Sequence, residues 1–169
     1  LSKLTKDQSL VVESYLTYAE SCLNINLYAE SNRYIDSAYV LSKRKELYKQ
    51  QINCLILSSK VEGERGETSL FLKKVSEAQK LAKEKSLIDE EVQIELLTGD
   101  FQKSIGEFEH SITTKRKALE IATKSNKKYL IADSWNSIGS TYWYFSHFQE
   151  ALENYYKSYI IRENLMDTI

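Results

Sequence analysis

The chain has 169 residues, 42% of them hydrophobic and 28% charged, with a net charge of −1. That composition excludes a disordered chain and leaves no global field to draw it to nucleic acid or membrane. With no proline and only five glycines, a β-rich or loop-rich fold lacks its turn formers, and helices joined by short turns are expected instead.

The N-terminal "LSKLTKDQSL" has neither an initiator Met nor the apolar core of a signal peptide. It reads as the cut edge of a longer chain. Thr5 and Gln8 are placed to form a capping box ahead of a first helix whose apolar stripe is Tyr15, Tyr18, Ala19 and Cys22. A turn at Asn26 leads to a second helix with Ser31, Ala38 and Leu41 on one face. The pattern then recurs. Cys54, Leu57, Ser58 and Val61 make the next stripe, followed by a turn at Gly66 and a helix bearing Phe71, Ala78 and Leu81. Ile94, Leu97, Thr98 and Phe101 precede Gly106 and a helix with Ser111, Ala118 and Ile121. Trp135, Ile138, Gly139 and Tyr142 precede Ser146 and a helix with Ala151, Tyr155, Ser158 and Ile161. The columns of the second helix recur every 40 residues, and Tyr28, Thr68, Phe108 and Phe148 follow the turns at the same step. The last stripe positions of the first helix, Cys22, Val61, Phe101 and Tyr142, step by 39, 40 and 41. That difference implies one extra residue in the A–B turn of the two middle repeats. Four repeats of two helices, A and B, are expected over about 12–51, 52–91, 92–131 and 132–169, as one array and a fragment of a longer chain.

Trp135-x-x-Ile138-Gly139-x-x-Tyr142 followed by Ala151-x-x-x-Tyr155-x-x-Ser158 resembles the tetratricopeptide repeat. The other three repeats match more loosely, with Ile35, Val75 and Lys115 in the aromatic column of helix B. The resemblance spans nearly all of Val12 to Ile169 and implies an all-α fold, an α-α superhelix or solenoid of four helix-turn-helix repeats. Two departures stand out: the family's closing proline is absent, and the period is 40 rather than the usual ~34. Longer helices with a continuous corner from B to A would account for both. Repeats of this length are similar to those of bacterial regulatory and sensor proteins. Each pair buries its stripe only against its neighbours, so Trp135, Tyr142, Phe148 and Tyr155 are expected in the core.

In this family the helix A face turned away from helix B lines the groove that takes a partner. Asn136, Ser140, Trp143 and Tyr144 fall there, as do Leu16, Glu20 and Leu23 in the first repeat. The corresponding residues of the middle repeats are expected to be Leu55, Ser59 and Glu62, then Glu95, Gly99 and Gln102. Trp143 and Tyr144 could anchor a peptide, or could pack on a further repeat. Repeats that clamp a C-terminal carboxylate need cationic groove columns, and here those columns carry Leu16, Glu20, Asp133 and Ser137.

Chemistry finds little footing. His110 and His147 are the only histidines and have no metal-ligand spacing around them. "GERGETS" at Gly63–Ser69 lacks the lysine and preceding strand of a phosphate loop. No catalytic, metal or cofactor residue is expected. The basic runs Lys43–Lys49 and Thr113–Lys128 read as solvated helix faces. Cys22 and Cys54 are expected too far apart to pair, since their helices place them ~10 Å apart along the axis. The expected function is a protein- or peptide-binding scaffold within a larger regulatory or signalling protein. The alternative is a sensory module coupled to a kinase or DNA-binding output domain. Self-association through the C-terminal edge stands beside both, because Trp143, Tyr144, Tyr156, Tyr159 and Ile160 leave an apolar patch there. No nucleic acid and no membrane segment are expected in this region, and the compartment is not specified.

Overall fold

The structure is a computed structural model that describes the backbone of residues 2–166 and the side chains of 7–165. Eight helices make up the described residues: α1 (Ser2–Asn24), α2 (Tyr28–Arg44), α3 (Tyr48–Glu64), α4 (Thr68–Glu84), α5 (Ile88–Ser104), α6 (Phe108–Lys124), α7 (Lys128–Tyr144) and α8 (Phe148–Met166). The odd-numbered helices are the A helices and the even-numbered ones the B helices. The fold class is the expected all-α array of repeated helix pairs. The chain forms two compact units, Leu1–Glu90 and Glu91–Ile169.

The period has a simple origin. Each helix from α2 to α7 has 17 residues, and each of the seven connections has three. Every connection closes the same way. In the first, the Leu27 amide donates to the Cys22 carbonyl (2.9 Å) and the Asn26 amide to the Leu23 carbonyl (2.9 Å). This is the paired 6→1 and 5→2 bonding of a Schellman cap. The cap requires positive φ at the middle residue, which is Asn26, Glu46, Gly66, Ser86, Gly106, Asn126 or Ser146. A helix stopped by this cap needs no proline, which accounts for proline's absence. Two expectations are corrected here. The A–B turns contain no extra residue in the middle repeats, and the B-to-A corners are three-residue turns rather than continuous helix. Thr5 lies inside α1, three residues past its start, so it does not cap it; its side chain lies outside the described residues.

Glu46 is exposed and holds φ at +54°, where an L side chain with a Cβ is strained and glycine is not. Glu46→Gly is therefore expected to raise stability by about 0.5–1 kcal/mol, read as a higher midpoint in urea at unchanged slope.

In the first unit the core is Val12, Ala19, Ile35, Ala38, Cys54, Leu57 and Val61. In the second, Val92, Ala118, Ala122 and Leu130 are packed together with Leu96, Ile121 and Ile131. The inner helix α3 buries two stripes. Cys54, Leu57 and Val61 meet Ile35 and Ala38 of the preceding B helix, while Gln51, Leu55, Ser59 and Glu62 are buried on another side. The aromatic residues take a different place from the one expected. Trp135, Tyr142 and Tyr155 are half-buried and Phe148 is 54% exposed. Small residues occupy the helix crossings, and the rings lie around them. Phe148 belongs to a column whose other members are Tyr28 and Phe108, both half-buried, and Thr68, which is exposed.

Cys22 and Cys54 are both buried free thiols. Burial pushes the Cys54 thiol up to about 12, against the weaker opposite pull of a hydrogen bond with Ser42. Because thiolate is the reactive form, Cys54 should resist alkylation at mildly alkaline pH and react only as denaturant unfolds the chain. Mass spectrometry of the labelled protein checks this. A raised folded pKa also means that the neutral thiol's contribution is present below the ordinary value of 9.0 and is lost as pH climbs towards about 12.

Candidate functional site

A strict step of 40 from the α7 face carrying Asn136, Ser140 and Trp143 leads to Leu16, Glu20 and Leu23 on α1. It leads also to Ile56, Lys60 and Gly63 on α3, and to Leu96, Asp100 and Lys103 on α5. The residues first assigned to this face in the middle repeats belong elsewhere. Leu55, Ser59, Glu62, Glu95 and Gly99 are all buried and Gln102 half-buried, in the columns of Trp135, Gly139 and Tyr142. Ile56, Lys60, Gly63, Leu96, Asp100 and Lys103 are the face residues that sequence reasoning missed, and Lys60, Asp100 and Lys103 carry its charge. The constant helix length was the signal that would have found them.

In the first unit, Leu16 is half-buried against the core cluster. Glu20 is exposed, with its carboxylate 3.7 Å from the Lys60 ammonium. This pair of half-open charges contributes little to stability, but it neutralises the face.

In the second unit the face is richer. Asn136 is exposed and Ser140 half-buried. The Lys103 ammonium donates to Ser140 Oγ at 3.2 Å and to Asp100 Oδ1 at 3.1 Å, and lies 5.9 Å from the centre of the Tyr144 ring. Trp143 is 60% and Tyr144 58% exposed. Trp143 packs edge-on to Phe148 (5.0 Å) and Tyr144 edge-on to Phe145 (5.2 Å). The result is an aromatic pair held by neighbouring rings at one end of a short row of charge and hydroxyl. The corrected register also places the cations Lys60 and Lys103 on the face that a carboxylate clamp would use. Each is already matched by an acid, Glu20 or Asp100.

Beneath this face lies a polar core. Lys115 of α6 is fully buried, although it lies in a run read as a solvated face. Its ammonium donates to Asp100 Oδ1 (2.6 Å), the Ser137 carbonyl (3.0 Å) and Thr141 Oγ1 (2.8 Å). Ser111 donates to the Gly99 carbonyl (2.7 Å) and lies 3.1 Å from Thr141 Oγ1. Burial pulls the Lys115 pKa below 10.5, opposed by Asp100. The stem of Lys115 lies over Gly99, where a Cβ would come within 2.6 Å of Lys115 Cγ. Gly99 is therefore the partner that makes room for a lysine in the helix B column. Lys117 in the same run pairs with buried Glu95 at 2.6 Å.

Among the described residues no group of three His, Cys, Asp or Glu is placed to hold a metal. His110 and His147 lie on the surface beside Glu107 (3.3 Å) and Glu150 (3.8 Å). "GERGETS" is a helix end, a capped turn at Gly66 and the next helix start. No helix among the described residues is long and apolar enough to cross a membrane.

No protein-family model matches the chain, and no curated protein matches it. Its fold is similar to that of several solved structures. Rap protein complexed with Competence and Sporulation Factor aligns at a TM-score of 0.70 and 17% identity, over 92% of this chain and 44% of that one. BtubC (BKLC) from P. vanneervenii aligns at 0.68 and 12%, over 94% and 65%. MamA aligns at 0.58 and 17%, over 98% and 86%. The chain thus spans less than two thirds of the length of the Rap and BtubC chains. These are tetratricopeptide-type helical repeat proteins, and the fold of this chain is of that type.

Proposed function

We propose that this tetratricopeptide-type array is a scaffold that binds a protein or peptide partner on the A-helix face of its second unit. The observation that carries this reading is the exposure of two adjacent aromatics, Trp143 and Tyr144, beside the Lys103–Ser140–Asp100 row. Exposed large aromatics next to directional polar groups are the composition of a binding hot spot. Leu16 and Glu20, on the same face of the first unit, form a second and weaker patch under this reading. A place within a larger regulatory or signalling protein belongs to the same proposal. Its support is that Rap, one of the similar folds, was solved bound to the Competence and Sporulation Factor.

The test is a selection of displayed random peptides on the folded chain. Selected peptides should carry an apolar or aromatic residue. They should bind the Trp143→Ala/Tyr144→Ala protein at least about tenfold more weakly, as loss of an aromatic anchor typically costs ~2 kcal/mol or more. Equal affinity for the two proteins would show that partners bind elsewhere.

A further inference from the structure

The helix B column that holds Lys115 is otherwise apolar or aromatic, with Ile35, Val75 and Tyr155 at the corresponding positions. Ile35 and Val75 are buried there, and so is the whole of Lys115. Packing alone would be served as well by a third aliphatic residue, because apolar groups of similar volume commonly replace a buried ion pair without loss of stability. What the lysine adds is a set of bonds. From α6 its ammonium donates to Asp100 on α5 and to the Ser137 carbonyl and Thr141 hydroxyl on α7. The helices before and after α6 are thus tied to one buried nitrogen.

The bonds lead outward from there. Asp100 Oδ1 accepts from Lys115 at 2.6 Å and from Lys103 at 3.1 Å, and Lys103 crosses from α5 to Ser140 of α7 at 3.2 Å. Ser140 lies one turn after Ser137 and one turn before Trp143 and Tyr144. The inner end of this chain of bonds is Lys115, sealed from water, and the outer end is Lys103, whose side chain is 19% exposed. Without Lys115, Asp100 and Lys103 are an i, i+3 pair with a half-open carboxylate, and such pairs hold their geometry weakly. With Lys115, the carboxylate is anchored to a group that is itself fixed by two bonds to α7. An ammonium has three donors. Lys103 spends two of them on Asp100 and Ser140, which leaves one for a partner.

We infer that Lys115 is a positioning residue for partner binding. From inside the unit it fixes Asp100, and through Asp100 it holds the Lys103 ammonium beside Ser140 and the Tyr144 ring, where it can donate to a carbonyl or carboxylate of the bound peptide. The inference rests on the partner face proposed above. Lys115 itself touches no partner, and its contribution is preorganisation. A long side chain already ordered by the protein need not be ordered by the partner, so the binding free energy is not spent on it. In the first unit the same column holds Ile35 and Val75, so the Leu16 and Glu20 patch has no such support.

Calorimetric titration tests it, with a selected peptide whose binding falls in the Trp143→Ala/Tyr144→Ala protein. The titrated proteins are the wild type, Lys103→Met, Lys115→Met and the double variant, with urea unfolding confirming that each is folded. Lys115→Met should bind about fivefold more weakly than wild type, the loss expected when one long side chain is left for the partner to order. Lys103→Met should weaken binding by a similar factor, and adding Lys115→Met to it should change the affinity no further. A merely structural role for Lys115 would instead lower affinity in both backgrounds. Lys115→Leu replaces Lys115→Met if that variant fails to fold. Wild-type affinity in Lys115→Met or in Lys103→Met, or a Lys115→Met loss that persists in full in the Lys103→Met background, would overturn the inference and leave the partner face standing. If no selected peptide depends on Trp143 and Tyr144, the partner face and this inference fall together.

Discussion

Gly139→Leu is expected to lower stability by about 3 kcal/mol, the upper part of the usual range for overpacking a tight site. Gly139 lies in the middle of α7 in helical backbone, where glycine costs roughly 0.5–1 kcal/mol relative to alanine. Its place there therefore needs another reason. A Cβ at this position would sit 2.8 and 2.9 Å from Cδ1 and Cε1 of Tyr155 and 3.2 Å from the Ala151 carbonyl oxygen. The ring can tilt, but the carbonyl belongs to the α8 backbone. A leucine side chain must therefore push α7 and α8 apart at the crossing. Pairing Gly139→Leu with Tyr155→Ala should recover part of the loss, with a coupling above about 0.5 kcal/mol. Glu153→Ala, on an exposed position of α8, should stay within about ±0.5 kcal/mol. Equal melting temperatures for Gly139→Leu and Glu153→Ala would remove Gly139 from the packing column.

Asp100→Ala is expected to cost about 2–3 kcal/mol, while Lys115→Met should be neutral or stabilising. The asymmetry follows from which member of the pair is buried. Lys115 is wholly inside and Asp100 half open. Removing Asp100 leaves an ammonium buried with only the Ser137 carbonyl and Thr141 hydroxyl as partners. Breaking a fully buried pair costs 3–5 kcal/mol, and the open side of Asp100 reduces that. Lys115→Met keeps the stem over Gly99 and deletes the charge, leaving Asp100 to water and Lys103. Burial, which lowers the Lys115 pKa, outweighs the attraction of Asp100. The folded state therefore holds this proton less tightly than the unfolded chain. On this group's account stability rises with pH from the lowered folded value towards 10.5. Chemical denaturation of the three proteins at neutral and alkaline pH checks both statements. A Lys115→Met protein as unstable as Asp100→Ala would contradict them.

The helix pairs, the turn residues Asn26, Gly66, Gly106 and Ser146, and the exposure of Trp143 and Tyr144 were legible in the sequence. The register inside the middle repeats was not, and the reason is geometric. An inner A helix buries one stripe against its own B helix and another against the preceding one. On α3 the apolar residues Cys54, Leu57 and Val61 mark the second stripe, while the first holds Ser59 and Glu62 among its buried members. Hydrophobicity alone therefore selects the wrong stripe and shifts the alignment by one. The small column then reads Ser58 and Thr98 in place of Ser59 and Gly99. Lys115 escaped for a related reason. A lysine within a basic run looks solvated, and only its position opposite Gly99 reveals that its stem fills a gap. Phe148 falls in the core by its column alone, but that column lies at the rim of the helix pairs: Tyr28 and Phe108 are half-buried and Thr68 is exposed.

The most direct measurement of the proposed binding face uses Trp143 itself. Trp135 and Trp143 are the only tryptophans in the chain, so Trp135→Phe leaves Trp143 as a single reporter on an exposed face. Titrating a selected peptide into that protein, with calorimetry in parallel to confirm binding, should shift the emission to the blue and protect it from acrylamide at the same midpoint. A peptide that binds by calorimetry while the Trp143 emission and its quenching stay unchanged would contradict the account.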